Sequence, residues 1–304
     1  MNKSIITPVI VAVFAFSLML APASLADFAV WYLPGDYEIT FTCISGCSGD
    51  YSHEMTIDEM DLGSGEFSGT GNYIPNSAIT WDVDGTVAGS EISIMTIVYD
   101  NINPGYTVLL EGTIAPDGSL SGTALSSTGQ TSNWESTSGA AKEVLEVVHG
   151  GGRMQEKDGK RKDWLDVSYG TEIVNVEGLG LVGHADITFH NVGEDSIDKL
   201  NFYGTDVVSL NLYDGNTVNC EMAANFTVNG ELDGVPGYKV IFRTGDSGVE
   251  NKKIYKDTAR VGLYNGATLI YDTSWPTEFT DQGTCVGSSR TNHDRGNMTI
   301  INNN

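Results

Sequence analysis

The chain has 304 residues, with 40 acidic against 16 basic side chains and a net charge of −24 at pH 7. An excess of that sign repels phosphate backbones and anionic headgroups, which excludes nucleic-acid binding and anionic-membrane binding and leaves neutral or cationic partners. Thirty-six glycines and 13 tyrosines, with almost no runs of strong helix formers, predict short strands joined by tight turns and hence an all-β protein.

Residues 1–26 read as a secretory signal: Lys3 is the positive start, Val9 to Leu20 the apolar core, and Ala23, Ser24, Leu25 and Ala26 the small-residue cleavage site. Ser17 and Pro22 break the apolar run, which is too short for a spanning helix of roughly 20 residues. The expected product starts at Asp27 and is soluble, either secreted or kept at the cell surface or in the periplasm. The remaining chain is long enough for two domains, 27–140 and 141–304. Charge divides them: the first holds sixteen Asp and Glu and no Lys or Arg, and every basic residue except Lys3 falls in the second.

In the first domain, turn signals recur at the spacing of an antiparallel sandwich or barrel. Strands are predicted at 37–43, 53–58, 66–70, 79–87, 91–100, 106–115, 119–124 and 132–136. Asn103-Pro104-Gly105 and Pro116-Asp117-Gly118 are hairpin signals. Tyr37, Ile39 and Phe41 alternate with Glu38, Thr40 and Thr42, and Trp81 and Val83 alternate with Asp82 and Asp84, giving an apolar face and an acidic one. Eight consecutive strands with no room for crossovers can close into an up-and-down barrel and so lose their edges.

The Gly35-Asp36-Tyr37 opening, the Phe-Ser-Gly-Thr-Gly strand end at 67–71 and the Gly-Ser-Leu-Ser-Gly-Thr hairpin at 118–123 resemble the avidin-like and lipocalin-like meander barrels. Such barrels often hold a small apolar ligand, and the resemblance casts Tyr37, Trp81, Tyr99 and Trp134 as pocket walls. The alternative is that these aromatics only fill the barrel, as side chains do in small barrels.

Residues 136–152 read as a small-residue linker ending in Gly150-Gly151-Gly152, with Val144, Leu145, Val147 and Val148 as a first strand of the second domain. The basic cluster at 153–162 is interleaved with Glu156 and Asp158 and lacks stacking aromatics, so it reads as a solvated loop. Further on, Cys220, Met222, Ala224, Phe226 and Val228 alternate with polar residues, as do Tyr238, Val240 and Phe242, and then Ala259, Val261 and Leu263. A hairpin is placed at 234–237. This is a half-buried antiparallel sheet, a β-sandwich or flattened barrel.

Across 143–301, the glycines at 150–152, Ala-Asn-Phe-Thr-Val-Asn-Gly at 224–230, Val-Pro-Gly-Tyr-Lys-Val at 235–240, Gly-Asp-Ser-Gly at 245–248, Asp257-Thr258 and Gly-Asn-Met-Thr-Ile at 296–300 resemble the post-COAP-1 type domain. That family accompanies secreted and surface proteins of bacteria and archaea. The 248–256 turn departs from its pattern, with Gly-Val-Glu-Asn where members show Gly-Glu-Pro-Gly. The resemblance implies compartment and fold, and no catalytic residue comes with it.

Catalytic motifs are thin. Gly245-Asp246-Ser247-Gly248 echoes a serine-protease nucleophile turn but lacks a matching His segment upstream. His184 and His190 share a strand face, yet six residues of strand separate them by about 20 Å, too far for one metal. Asp82, Asp84 and Asp214 sit in fragments of calcium-loop patterns without the remaining ligands, so a structural Ca²⁺ gathered from separate turns is the one cofactor considered. Four cysteines in an exported chain imply disulfides. Cys43 with Cys47, and Cys220 with Cys285, keep each pair within one domain, and the long loop of the second is worth on the order of 4 kcal/mol. A Cys-x-x-x-Cys redox or metal site is the alternative for the first pair.

Three functions remain open: a secreted or cell-surface, non-catalytic module with a structural or adhesive role; a binding protein for a small neutral or cationic ligand, or for glycan through Ca²⁺; and a secreted hydrolase with paired carboxylates from distant strands. An unfilled aromatic pocket distinguishes the second.

Overall fold

A computed structural model of the chain describes residues 30–99, 105–156, 165–190, 199–217, 220–246, 249–250, 253–254, 258–272 and 295–303. The secretory signal at 1–26, Asn103 and Pro104 of one hairpin signal, the lysines of the basic cluster, Ser247-Gly248 and Cys285 lie outside them. The described residues form strands and turns and no helix, so the protein is all-β.

After β1 (Trp31–Tyr32) come β2 (Gly35–Ser45), β3 (Asp50–Met60), β4 (Glu66–Tyr73), β5 (Asn76–Ala88), β6 (Glu91–Tyr99), β7 (Thr107–Ile114), β8 (Leu120–Ser126) and β9 (Thr131–Ser138). Each pairs antiparallel with the next from β2 onward, and β9 returns to β2 with Phe41 opposite Trp134, closing an eight-stranded barrel. All eight predicted strands are present. Closure satisfies every edge of this small sheet.

Alternation sets what faces where. Tyr37, Ile39, Phe41, Met55, Ile57, Trp81, Val83, Ile97 and Leu110 are buried inside, while Glu54, Asp82, Asp84, Glu111 and Glu135 point outward. This is the reverse of a lipid-facing barrel. With no Lys or Arg available, several outer acids stand opposite hydroxyls: Asp82 pairs with Thr70, Asp84 with Ser68 and Glu135 with Thr40. Glu38 opposite Glu54 is a like-charged pair, which costs stability. The β7–β8 turn carries Gly118 at φ 81°, and Asp117 Oδ1 accepts from the Ser119 backbone N–H and hydroxyl, which lowers its pKa.

The second sheet runs β10 (Lys142–Glu156), β11 (Leu165–Val176), β12 (Gly180–His190), β13 (Leu200–Thr217), β14 (Cys220–Leu232), β15 (Val235–Asp246), then β18 (Thr258–Asn265) and β19 (Thr268–Asp272), all antiparallel. Between β15 and β18, β16 (Val249–Glu250) and β17 (Lys253–Ile254) make a separate ribbon. The last strand, β20 (Arg295–Asn302), pairs with the other side of β10 and packs across the core against β14 and β15. The sheet thus curls over an interior of Phe189, Phe202, Phe226, Val240, Phe242, Val261 and Met298.

Two local expectations change, and one strand is added. The stretch read as a linker is mostly strand: Gly150, Gly151 and Gly152 lie inside β10, paired with β11 on one side and β20 on the other. The hairpin placed at 234–237 turns instead at Asp233-Gly234, whose φ of 49° and 78° are the positive pair that a two-residue type I′ turn requires. Finally, β1 does not stay with the barrel; Trp31 pairs with Glu143 of β10.

The two regions are joined by a common core. Leu33, Leu62 and Ala141 at one end of the barrel are buried in the same cluster as Val144, Val147, Val174 and Val176 of the second sheet. That end is plugged.

Candidate functional site

The other end of the barrel is a cup of about 320 Å³. Every barrel strand contributes to it: Phe41 from β2, Tyr51 and His53 from β3, Tyr73 from β4, Ile79 from β5, Tyr99 from β6, Val108 from β7, Ser126 from β8 and Ser132 from β9, with Cys47, Tyr106 and Gln130 from the flanking turns. The side-chain period of two places them there. Strands that begin or end at one level of a barrel expose their terminal inward side chains as a ring around the opening.

His53 is the central group. It is 5 % exposed, and Trp81 Nε1 beneath it donates to its Nδ1 at 3.3 Å. That hydrogen bond assigns the ring proton to Nε2, which has no protein partner among the described residues. Burial lowers the His53 pKa to about 4, so the ring is neutral near pH 7. Around it stand Phe41 at 5.3 Å and 84°, Tyr73 at 5.1 Å and 46°, and Tyr99 at 6.4 Å and 72°; Tyr106 lies 5.3 Å from Tyr99 at 58°. Rings so inclined form walls that meet at angles, not a stack.

The rim is tied down. Tyr106 Oη donates to Gln130 Oε1 at 3.0 Å, and Gln130 Nε2 donates to the Gly46 carbonyl at 3.2 Å. Gly46 lies in the β2–β3 turn that the Cys43–Cys47 disulfide closes, with Cα atoms 5.7 Å apart. Burial raises the Tyr99 pKa, and the neighbouring Tyr106 and Tyr73 raise it further, so its hydroxyl stays protonated. No described residue lining the cup is acidic, Lys or Arg.

Of the aromatics predicted as pocket walls, Tyr99 lines the cup. Trp81 does not line it but is fully buried behind His53, with its indole over Gly71 on the paired strand; a Cβ there would come within 2.2 Å of Cζ2. Trp134 fills the barrel, donating from Nε1 to the Glu111 carbonyl at 3.2 Å. Tyr37 is at the plugged end, where its hydroxyl donates to the Leu33 carbonyl and burial raises its pKa. The disulfide reading of Cys43 and Cys47 replaces their redox or metal alternative. Cys285 and the side chain of Cys220 lie outside the described residues.

The calcium candidates do not meet. Asp82 and Asp84 are exposed on the outer face of β5 and Asp214 is exposed on β13, and the described residues include no group of three or more metal-ligating side chains. His184 and His190 do share the outer face of β12, each with its own neighbour: Asp186 Oδ2 lies 4.0 Å from His184 Nε2, and Ser168 Oγ lies 3.2 Å from His190 Nε2.

Between the barrel and the second sheet lies an open cleft of about 1100 Å³, whose walls include Asp58, Asp61, Glu66, Asp84, Glu172 and His184. Nearby, His149 Nδ1 sits 3.3 Å from Glu172 Oε2, and the Asp61–Ser64 turn of the barrel packs on its ring, so close that a Cβ on Gly63 would lie 2.9 Å from Nε2. The adjacent Glu172 carboxylate raises the His149 pKa against the effect of burial, with Asp61 adding to it. The pair lies within the second sheet, between β10 and β11, and the barrel turn rests against its His149 ring.

No family model, curated protein or solved structure matches the chain. Among the described residues no helix is long and apolar enough to cross a membrane.

Sequence reasoning missed Phe41, Tyr51, His53, Tyr73 and Tyr106 as site residues. The signal was present in the alternation: His53 is in phase with Met55 and Ile57, and Tyr106 with Val108 and Leu110. What was missing was the level of each strand relative to its neighbours, which cross-strand register alone supplies.

Proposed function

We propose that the protein is an exported, non-catalytic binding protein whose barrel receives a small neutral or cationic molecule at its open end. The observation that carries this reading is the cup itself: an unfilled, aromatic-lined hollow with a few uncharged polar groups, the composition expected of a small-molecule site. A barrel whose aromatics served only to fill it would place all of them as Trp134 is placed, in contact on every side. Export is supported by the secretory character of residues 1–26 and by the Cys43–Cys47 disulfide, which persists in oxidising compartments. The resemblance of 143–301 to the post-COAP-1 type domain points to the same compartment.

A surface, adhesive role is the second reading, favoured by one feature. Val98, Leu109 and Leu125 are 41, 40 and 50 % exposed on neighbouring strands of the outer barrel wall, with Leu109 directly opposite Leu125. They make a short apolar stripe on an otherwise acidic surface.

The test is a titration of the exported chain with indole, p-cresol and choline, following the His53 ring proton by NMR. Saturable displacement of that signal by at least one probe, lost in Tyr99→Leu, is the expected result. A His53 signal indifferent to all three sinks the proposal and leaves the adhesive reading ahead.

A further inference from the structure

We infer that the cup selects a weakly hydrated organic cation, of the quaternary ammonium class, over a neutral molecule of the same shape. This rests on the cup being the ligand site and goes further by naming the ligand's charge and hydration.

The walls give the first argument. Phe41, Tyr73 and Tyr99 surround His53 at ring inclinations of 46–84°, and Tyr106 meets Tyr99 at 58°. Each aromatic face carries the negative lobe of its quadrupole, and a cation enclosed by several such faces is attracted to all of them at once. The cup has the volume of about ten waters at liquid density, room for a methylated ammonium headgroup but not for its hydration shell as well.

Field supplies the second. Residues 27–140 hold sixteen carboxylates with no Lys or Arg, so the mouth lies in an uninterrupted negative potential that concentrates cations and repels anions. Several of those carboxylates, Glu54, Asp82, Glu111 and Glu135, are exposed on the outer wall. The attraction is therefore long-ranged and unspecific until the cation enters.

Desolvation supplies the third, and it sets the class. With no carboxylate among the described lining residues, only the uncharged oxygens of Ser126, Ser132, Gln130 and the tyrosines stand in for the water that Na⁺, ammonium or a lysine side chain must shed, which replaces part of that hydration and none of its charge compensation. A quaternary ammonium has no N–H to satisfy and sheds its water cheaply. His53 adds no opposing charge, because Trp81 donates to its Nδ1 and burial keeps it neutral.

The experiment compares choline and tetramethylammonium with 3,3-dimethylbutan-1-ol, the uncharged carbon analogue of choline, by calorimetry and by the His53 ring proton. The expected result is saturable binding of both cations, with the alcohol about tenfold weaker, the size of one or two cation–π contacts. Binding should disappear in Tyr99→Leu and also in Tyr106→Leu, the second variant standing in if the first unfolds. Equal affinity for choline and the alcohol overturns the inference while leaving the proposed function intact. Choline binding that survives in both folded variants also overturns it, since the cation would then be held by the outer carboxylates. Failure of choline, the alcohol, indole and p-cresol together removes the proposed function itself.

Discussion

The barrel and the second sheet solve the same problem, an antiparallel sheet with one apolar face, in opposite ways. Eight strands of 7 to 13 residues close on each other and leave a mouth; the second sheet contains an 18-residue strand and curls until β20 crosses its own core against β14 and β15. The interior of the second sheet is occupied by packed side chains, with Phe226 stacked on Phe242 at 5.0 Å between ring centroids, whereas the barrel mouth holds a hollow of about 320 Å³. Closure therefore creates a cavity where curling fills one. The charge difference runs along the same line: the barrel needs no cations because its strands are held by backbone pairing and a packed interior, and its acids stand outside in water.

The largest expected effect falls on the shared core. Trp81→Ala removes a fully buried indole and should cost about 3–5 kcal/mol in urea unfolding. Because Val144, Val147, Val174 and Val176 are buried in the same cluster as the barrel interior, the second sheet should unfold in the same transition. Two separated transitions, with only one shifted, would break the picture of regions joined by a core.

Next is pH. His53 has a folded pKa of about 4 against an ordinary value of 6.5, so the unfolded chain binds its proton more readily. Its neutral burial is fully compatible with folding above pH 6.5, and stability falls as pH drops from there towards 4, by about 3 kcal/mol in total. His149 runs the other way: its raised pKa adds stability that is complete below 6.5 and is lost as pH rises through the folded value, with a small amplitude because the ring is about one-third exposed. His53→Gln, which can still accept from Trp81 and does not titrate, should flatten the acid limb and leave the shallow alkaline one. An unchanged acid limb would place the sensitivity elsewhere.

Glycine substitutions sharpen the contrast at smaller scale. Gly71→Ala puts a Cβ 2.2 Å from the Trp81 indole, and should destabilise by about 1–3 kcal/mol. Gly170→Ala, in the second sheet with nothing within 4 Å of its Cβ, should be neutral or stabilising by a few tenths of a kcal/mol. Thermal midpoints of the two variants decide it; equal losses would mean that backbone freedom, not the indole, fixes Gly71. The smallest expected loss of stability is in Cys43→Ser, since reopening a five-residue loop costs about 2 kcal/mol at most. Its more telling readout is ligand affinity, which should weaken as the Gly46 carbonyl loosens from Gln130 and Tyr106.

Much of the fold was legible because it depends on neighbours in sequence. The alternation of Tyr37, Ile39 and Phe41 with Glu38 and Thr40, and the turn chemistry of Pro116-Asp117-Gly118, specify strand faces and hairpins locally, and a chain of hairpins has little choice but a meander. The errors came where a local signal had two readings. Gly150-Gly151-Gly152 looks like a hinge, but it pairs on both sides within β10. Asp233-Gly234 and the nearby Pro236-Gly237 both look like turns, and only the first has two positive φ angles.

By itself the sequence determined an all-β chain, an acidic first region without Lys or Arg and the inward face of the strands that carry Tyr37 and Trp81; barrel closure and the pairing of Cys43 with Cys47 were expectations that needed the structure. Tertiary structure alone decided that one end of the barrel is stoppered by Val144, Val147, Val174 and Val176, and that Phe41, His53, Tyr73, Tyr99 and Tyr106 meet at the other. The reason is geometric: a period of two says which way a side chain points, but its height in the barrel depends on register with strands dozens of residues away, and a binding site is a matter of height.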